Sequence, residues 1–531
     1  MREMKKLALM GAGCALVTFI GCYDFGQAYE DCLGSGRCPV VCDTSAEDTP
    51  GDFQDNDCDG IDGVAAQGVF VDNGYASAED SVTAGTLEKP YKTLKYALEH
   101  ATAEKPYVFI AQGVYAEDNL RLTRPLSLQG GYTGVAGGWK RLKTATTTLR
   151  KGSIGFTVSV RDSGTEQVPT LEWLNIESEQ SASTGAPSIG LRVLSTPRVR
   201  LSNMRIVAAA GTAGTAGNNG DSGAAGGAGG AGDSVGTPLG APANNGGNPG
   251  GATCTPGNAG GRGGQGATKN DLTGAAGGQG QPTAAGGTGG RSEIVGSPGD
   301  RRGAPGAPGG DGLEGAGGPG GEAGNALGRL QNDTWVALSG TDGRNGESGG
   351  AGGGGGGGGS SNLYDTYYVY GAGGGGGGAG GCPGLAGRGG QSGGASIALL
   401  LIDSQLTLEA SQLFTEGGGA GGRGGSGGAG GAGGEGGTQG TSTSYKPEPQ
   451  STAGGGDGGK GGKGGKGGDG GHGGNGASGP SVGVWCANSS VTATGSRFTL
   501  GSAGAVGDGP GKDDPTQLKQ EEYGCTPSPS P

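Results

Sequence analysis

The sequence predicts an all-β protein in which short coils of strand stack on one another and glycine-rich insertions interrupt the stack. Three observations predict it: an apolar pattern that recurs, one amphipathic helix ahead of the first strand-like runs, and 136 glycines among 531 residues. Glycine normally makes up about 7% of a protein. Hydrophobic residues are only 31%, which suffices for a core of about 150–200 residues but not for one that spans the whole chain.

The N-terminus has the parts of an export signal. A basic region at 2–6 precedes an apolar run at 7–20, which is too short to span a bilayer and suits a signal peptide. The sequence "FIGC", with Phe19 where leucine is usual, resembles the lipobox of bacterial lipoproteins. The resemblance implies a signal peptide at 1–21, a lipid anchor on Cys22 and a place in the cell envelope, at the outer membrane facing the periplasm or the cell surface. A plain secretory signal cut nearby is the alternative.

Export would place the other cysteines in an oxidising compartment, where disulfides form. Of the 10 cysteines, Cys14 leaves with the signal and Cys22 carries the lipid, so an even number remains and a full set of disulfides is feasible. We expect the first four to pair among themselves, the middle two with each other and the last two with each other. In these groups the candidates are Cys32, Cys38, Cys42 and Cys58, then Cys254 and Cys382, then Cys486 and Cys525.

Residues 22–66 form a Cys/Asp-rich linker that contains the sequence "DNDCDGIDG". Its carboxylates, with Gly60 permitting a sharp turn, are oxygen ligands of the kind that Ca²⁺ prefers. The stretch resembles a short Asp/Cys repeat of myxobacterial surface lipoproteins that is named as a metal-binding motif. We therefore expect a Ca²⁺ site here, with an acidic linker that turns as the alternative. The candidate metal ligands are Asp55, Asp57, Asp59 and Asp62.

Residues 67–209 carry the N-terminal cap and the first coils. Apolar residues from Leu94 to Ala101 lie at helical spacing, and the runs that follow alternate as short strands do. This combination resembles the N-terminal end of the right-handed parallel β-helices of the pectate-lyase-like superfamily. The resemblance implies a right-handed parallel β-helix whose cap helix covers the first coil, because an uncovered coil exposes apolar side chains and an unpaired strand edge.

A repeat supports the stacked coils. Similar stretches begin at Ser188, Ser396 and Ser481, and a related one runs from Phe156 to Ile176. A single coil cannot bury its own apolar face, so the copies must stack. The predicted later segments are coils at 395–416 and 480–501 and a polar C-terminal tail at 502–531. The positions expected to stack are Ile189, Ile397 and Val482; Leu191, Leu399 and Val484; Val193, Leu401 and Cys486; Val199, Leu406 and Val491; and Ile206, Leu413 and Phe498.

Two glycine-rich insertions, at 210–394 and 417–479, leave the coils at the same corner. Three interpretations are open: a collagen-like triple helix, a disordered spacer, or a packed bundle of polyglycine-II-like helices with three residues per turn. In such a bundle a GGX repeat turns two glycine faces to its neighbours and its third residue to solvent. The composition resembles that of the PE-PGRS surface proteins of mycobacteria. The outward residues would include Lys460, Lys463, Lys466 and Asp469.

The expected function is a non-catalytic, lipid-anchored envelope protein that displays an adhesive surface on a β-helix scaffold. Its expected partners are the membrane, through the lipid, and a surface polysaccharide or another cell-surface protein. A net charge of −13 without a dense basic patch argues against nucleic acid. The alternative is a carbohydrate-binding or polysaccharide-degrading β-helix with glycine-rich spacers, although the carboxylates Asp162, Asp403 and Glu409 show no pairing between coils. Ca²⁺ is the one cofactor expected.

Overall fold

The computed structural model describes residues 46, 48–161, 167–236, 244–254, 257–294, 301–363, 367–448 and 451–526. The chain divides into two compact units, Met1–Ala65 and Ala66–Pro531. The larger unit is nearly all β, with one described α-helix, Leu94–His100 (α1), and a 3₁₀ turn at Val135–Gly137. Another 3₁₀ turn, Ala65–Gln67, begins at the last residue of the smaller unit.

Three parallel sheets form the body of the larger unit, and the chain passes through them in turn. One passage through a strand of each sheet is here called a coil. Sheet 1 has the order β1 (Gly68–Val71), β2 (Tyr107–Ala111), β5 (Ser127–Tyr132), β8 (Thr170–Glu172), β11 (Val199–Ser202), β20 (Gln405–Glu409), β25 (Ser490–Thr494). Sheet 2 has the order β4 (Arg121–Leu122), β7 (Ile154–Val158), β10 (Ser188–Leu194), β19 (Ser396–Ile402), β24 (Ser481–Ala487), β27 (Lys519–Tyr523). Sheet 3 has the order β3 (Gly113–Tyr115), β6 (Thr147–Arg150), β9 (Asn175–Glu177), β12 (Arg205–Ala208), β21 (Gln412–Thr415), β26 (Arg497–Leu500).

The strand register confirms the stacking predicted from the repeat. Leu191 aligns with Leu399, which aligns with Val484, and all three side chains are fully buried in the main core. The predicted partners also align across sheets 1 and 3, where Val491 and Phe498 of the last coil are only partly buried. Each buried leucine contributes about 1.5–3 kcal/mol relative to an exposed one. The stack is therefore held by inward ladders of Leu, Ile and Val.

One predicted ladder aligns as expected but packs elsewhere. Ile189, Ile397 and Val482 are paired in register, yet they are buried with Trp335 and Trp485 in a separate cluster. Small residues, Gly155, Gly190, Ala398 and Gly483, follow one another across sheet 2 directly after this ladder. The hairpin of β15 (Asn325–Gln331) and β16 (Thr334–Leu338) supplies Trp335 and so covers this part of the sheet.

A ladder of hydroxyl groups fixes the turn between sheets 2 and 1. Thr196, Ser404 and Ser489 stack there, each after a residue with positive φ and each no more than 3% exposed. The Ser404 hydroxyl accepts the N–H of Thr196 at 3.0 Å and donates to the carbonyl of Ile402 at 2.8 Å. Ser489 accepts the N–H of Ser404 in the same way. The buried backbone groups of one turn are thus satisfied by the side chain of the next coil.

The helix α1 packs on the first coils as predicted. Its buried residues Leu94, Ala97 and Leu98 belong to the main core with strands β1, β2 and β4. Thr93 caps the helix by accepting the N–H of Tyr96 at 3.2 Å, and the Glu117 carboxylate accepts from the N–H groups of Leu94 and Lys95 at 2.8 Å each. These contacts satisfy the free donors of the first helical turn.

The segment after the last coil is more ordered than a polar tail. Strand β27 pairs in parallel with β24 and extends sheet 2, and Thr526 forms a bridge with Ser490. The Cys486–Cys525 disulfide closes this segment onto the last coil. The sequence did not predict this strand because its residues, "KQEEY", are polar and mostly exposed.

Both glycine-rich insertions leave from the end of a sheet 3 strand and return at the start of a sheet 2 strand. Their long glycine segments contain no strands among the described residues, and antiparallel strands occur where the segments reverse. Besides β15 and β16, these strands are β13 (Ser292–Ile294), β14 (Arg301–Gly303), β17 (Ser361–Leu363), β18 (Tyr367–Val369), β22 (Ser444–Glu448) and β23 (Ser451–Gly454).

Candidate functional surfaces

The glycine-rich segments are joined to each other by backbone hydrogen bonds, an array here called the glycine lattice. The segment 371–394 lies at its centre, and it is bonded to six others. Its N–H groups divide into rows that repeat every third residue, each row bonded to a different neighbour; for example, Gly376, Gly377 and Gly378 donate to three different segments. The six neighbours are 211–235, 244–254, 257–267, 340–359, 417–441 and 455–479.

Close approach of backbones explains why these segments need glycine. A Cβ at Gly377 would lie 1.9 Å from the carbonyl oxygen of Gly352, and one at Gly378 would lie 2.0 Å from that of Gly434. None of the described glycines of 371–394 has a positive φ, so space and not backbone conformation excludes a side chain. The uninterrupted glycine runs at 352–359 and 373–378 are fully buried. Triplets with a third residue occur where one face meets solvent.

The predicted outward row is exposed. Lys460, Lys463, Lys466 and Asp469 are exposed, and His472 continues the row. The row is not a basic strip, because Lys463 pairs with Glu435 and Lys466 with Asp469, each at 2.8 Å. Such exposed pairs contribute little stability individually.

Some outward side chains have a second role that the sequence did not suggest. The Asp469 carboxylate accepts the N–H of Gly430 at 2.8 Å, and His472 Nδ1 accepts that of Gly427 at 3.1 Å. The Asp311 carboxylate accepts the N–H of Lys463 at 2.7 Å. These residues bind peptide donors at the rim that have no further glycine segment beside them.

The second predicted disulfide of the larger unit lies in the lattice. Cys254 and Cys382 are bonded across a sequence separation of 128 residues. The bond joins the end of the segment 244–254 to the central segment. Cys58 is also disulfide-bonded, whereas Cys32, Cys38 and Cys42 lie outside the described residues, as does the predicted lipidation residue Cys22.

The outer face of sheet 1 carries a groove of about 560 Å³. It is lined by residues of successive coils, among them Thr170, Arg200 and Thr407, which align in register. Along the next outward row, Glu172, Ser202 and Glu409 align, so two carboxylates of different coils lie on either side of a serine. The sequence does not indicate this alignment, because strand β8, which holds Glu172, has only three residues.

The ionised groups of this face are paired. Glu409 accepts from Arg200 at 2.7 Å, and Glu172 lies 3.7 Å from the buried guanidinium of Arg141. Asp403 accepts from the Asn488 amide at 2.7 Å, and Asp162 lies outside the described residues. Neither described member of the predicted set contacts another carboxylate, but Glu409 aligns with Glu172 two strands away, a residue outside that set.

In the smaller unit, the carboxylates converge differently from the prediction. Oxygens of Asp48, Asp55 and Asp57 lie within 4.8 Å of one another, and so do those of Asp48, Asp52 and Asp62. Asp48, which lies outside the sequence motif, belongs to both groups and is 3% exposed. One oxygen of Asp55, Oδ1, is buried and has no hydrogen-bond partner among the described residues.

The remaining predicted ligands are engaged by backbone. The Asp59 carboxylate accepts the N–H groups of Ile61 and Ala65, and that of Asp62 accepts those of Gly51 and Phe53. Burial raises the pKa of Asp55, and the neighbouring charges of Asp57 and Asp48 raise it further against the opposing hydrogen bond from Gly60. The cluster is thus short of positive charge.

Comparison with protein-family models, with curated proteins and with solved structures finds no match to this chain. None of the described helices is long and apolar enough to cross a membrane.

Proposed function

We propose that the protein is a non-catalytic, lipid-anchored surface protein of a bacterial envelope, which displays an ordered glycine lattice on a stiff scaffold. The scaffold is a right-handed parallel β-helix, and the lattice is a bundle of polyglycine-II-like helices with three residues per turn. The observation that carries the proposal is the central segment with six hydrogen-bonded neighbours. A flexible spacer has no need of hydrogen bonds that repeat every third residue, whereas a displayed surface needs this repeat to hold its outward side chains in rows.

Amide hydrogen exchange of the full chain tests the lattice. We expect slow exchange throughout 417–479, because its peptide N–H groups bond to neighbouring segments. Exchange at random-coil rates across this stretch would identify it as a spacer and end the proposal. The internal control is the coil 396–415, whose buried strands should be protected in either case.

Metabolic labelling with a palmitate analogue in an exporting bacterium tests the anchor. The natural chain should take up the label and remain with the membranes, and Cys22→Ser should do neither, because it lacks the thiol that receives the lipid. Cys14→Ser is the matched control and should still be labelled. Equal labelling of both variants would contradict lipidation at Cys22.

A Ca²⁺ site in the smaller unit is a second element of the proposal. Asp48, Asp55 and Asp57 would hold the ion, and the unpartnered Oδ1 of Asp55 favours this set. Ca²⁺ takes six to eight oxygen ligands, and it would supply the positive charge that the three carboxylates lack.

Isothermal titration of the full chain with Ca²⁺ should show binding that Asp55→Asn weakens at least tenfold and Asp508→Asn leaves unchanged. The affinity should fall as the pH drops through the raised pKa of Asp55, because protons then compete for the carboxylate. Without Ca²⁺, the raised pKa of Asp55 means that this group stabilises the folded state below the pKa that it has in the unfolded chain. That contribution is lost as the pH rises through the pKa of the folded state. If titration of the natural chain with Ca²⁺ gives no binding heat, the proposed Ca²⁺ site is refuted.

Polysaccharide processing on sheet 1 is the alternative function, and the Glu172 and Glu409 pair favours it. Strands lie about 4.8 Å apart, so residues two strands apart are about 9–10 Å apart, near the spacing of inverting glycosidases. The purified protein would be incubated with polygalacturonate and alginate. Release of product by the natural chain and not by Glu409→Gln would replace the non-catalytic proposal with this one.

A further inference from the structure

The central segment contains a row, made of every third residue through Gly376, that is glycine at one end and bears large side chains at the other. At Gly376 the row faces the segment 244–254, and a Cβ there would lie 2.0 Å from the carbonyl oxygen of Asn248. Beyond the end of that segment, at the Cys254–Cys382 disulfide, the same row carries side chains. From the disulfide onward the residues of the row are Cys382, Leu385, Arg388 and Gln391, and all four bear side chains.

The missing neighbour leaves a groove of about 520 Å³, here called the lattice groove. Its volume falls within the about 300–1,000 Å³ of small-molecule sites. The floor is the central segment, one wall is the segment 211–235 and the other is the segment 340–359. The side chains that line it are Asn218, Asn219, Asp221, Asp342, Asn345, Leu385 and Arg388.

The lattice groove is closed to a further glycine segment. The N–H row of the floor that elsewhere bonds to the segment 257–267 begins here with Pro383, which has no N–H. The next donors of the row, Ala386 and Gly389, are bound by the side chains of Asn345 and Asp342 at 2.8 and 2.9 Å. Side chains on the floor also occupy the space that a glycine backbone would need.

Several polar groups of the groove remain open, although Asn219 Oδ1 accepts the N–H of Ser426. Among the described residues, the backbone N–H groups and the side chains of Asn218 and Asp221 make no hydrogen bond, and the carbonyls of Ala386 and Gly389 accept none. The Arg388 guanidinium is held by Asp342 at 2.5 Å and is 70% exposed. Leu385 is 43% exposed beside these groups.

We propose that the lattice groove binds a neutral polysaccharide chain. Sugar hydroxyls donate and accept, and so they match a groove in which free N–H groups, carbonyls and planar amide or carboxylate groups alternate. Leu385 offers an apolar contact for the C–H face of a sugar ring. Two carboxylates and one guanidinium leave the groove with one net negative charge, which favours a neutral chain over an acidic one. The inference rests on the ordered lattice of the proposed function and names its partner.

Titration of the full chain with cellohexaose, maltohexaose and mannohexaose, followed by calorimetry, tests the inference. At least one should bind with a Kd near or below about 1 mM. Asp221→Ala with Asn218→Ala should weaken that binding at least tenfold, and Ala386→Tyr should abolish it because the ring fills the groove. Glu314→Gln, an exposed carboxylate elsewhere on the lattice, is the matched control and should bind as the natural chain does.

The outcomes separate the inference from the proposed function. No binding by any of the three sugars, or binding that Ala386→Tyr leaves intact, overturns the inference. Binding lost instead in Thr407→Tyr, which fills the groove of sheet 1, would also overturn it and move the sugar to that face. Hydrogen exchange of the same samples reports the lattice: protection without binding ends only the inference, and absent protection ends the proposed function as well.

Discussion

Gly377→Ala is expected to destabilise the protein by about 3 kcal/mol or more, although it adds only a methyl group. Overpacking a core side chain typically costs about 1–3 kcal/mol because neighbouring side chains can adjust. Here the added carbon would lie 1.9 Å from a backbone oxygen of Gly352 and 2.5 Å from its carbonyl carbon. Only movement of a whole segment can relieve that contact. Chemical denaturation and hydrogen exchange of 371–394 measure the effect.

Gly251→Ala is the matched control for this prediction. Gly251 belongs to the same lattice, has no positive φ, and would have nothing within 4 Å of an added Cβ. Replacement of glycine by alanine where the backbone permits it stabilises by about 0.4–1 kcal/mol through the unfolded state. Equal destabilisation by the two variants would mean that the lattice is not packed as described.

Removing the lattice disulfide with Cys254→Ser and Cys382→Ser is expected to lower the free energy of unfolding by about 5 kcal/mol. The bond closes a loop across 128 residues, and the loss follows from the chain entropy that such a closure removes from the unfolded state. The segments 244–254 and 257–267 should then lose most of their exchange protection, because they are the ones tied at this point.

The Cys486–Cys525 pair provides the comparison for the lattice disulfide. It spans 39 residues, for which the same relation gives about 4 kcal/mol, and its removal should expose β27 while the lattice stays protected. An unfolding midpoint of the Cys254→Ser, Cys382→Ser variant equal to that of the natural chain would refute the expected role of the bond.

The coils could be predicted from the sequence because side chains carry their information. Alternating Leu, Ile and Val mark the inward positions of Leu191, Leu399 and Val484, and the register follows from aligning the copies. The packing of Ile189 outside the main core could not be predicted, because it depends on Trp335, which lies in a hairpin far along the chain. The alignment of Glu172 with Glu409 could not be predicted, because β8 has only three residues and its strand pattern is weak.

For the glycine lattice, the sequence could predict only the three-residue repeat of the segments, not which segments lie beside each other. A GGX repeat states which residues face outward, but a glycine face has no side chain to select a neighbour, so the six neighbours of 371–394 depend on how the whole insertion closes. Glycine runs without any third residue, as at 352–359, do indicate segments that are surrounded on every side. Asp48 escaped the motif because its proximity to Asp55 arises from a turn of the chain.

The rows of the glycine lattice repeat every third residue, so each segment keeps its contacts only if its residues stay in that three-residue register. Adding or deleting one or two residues within a segment such as 455–479 would move every later glycine off its row and place side chains between backbones. A whole triplet would keep the register, but it would lengthen one segment past its partners. Length can therefore vary freely only where segments reverse, as at the β22–β23 hairpin. We therefore expect insertions and deletions within the segments to come in multiples of three residues, and those at the turns to be of any length.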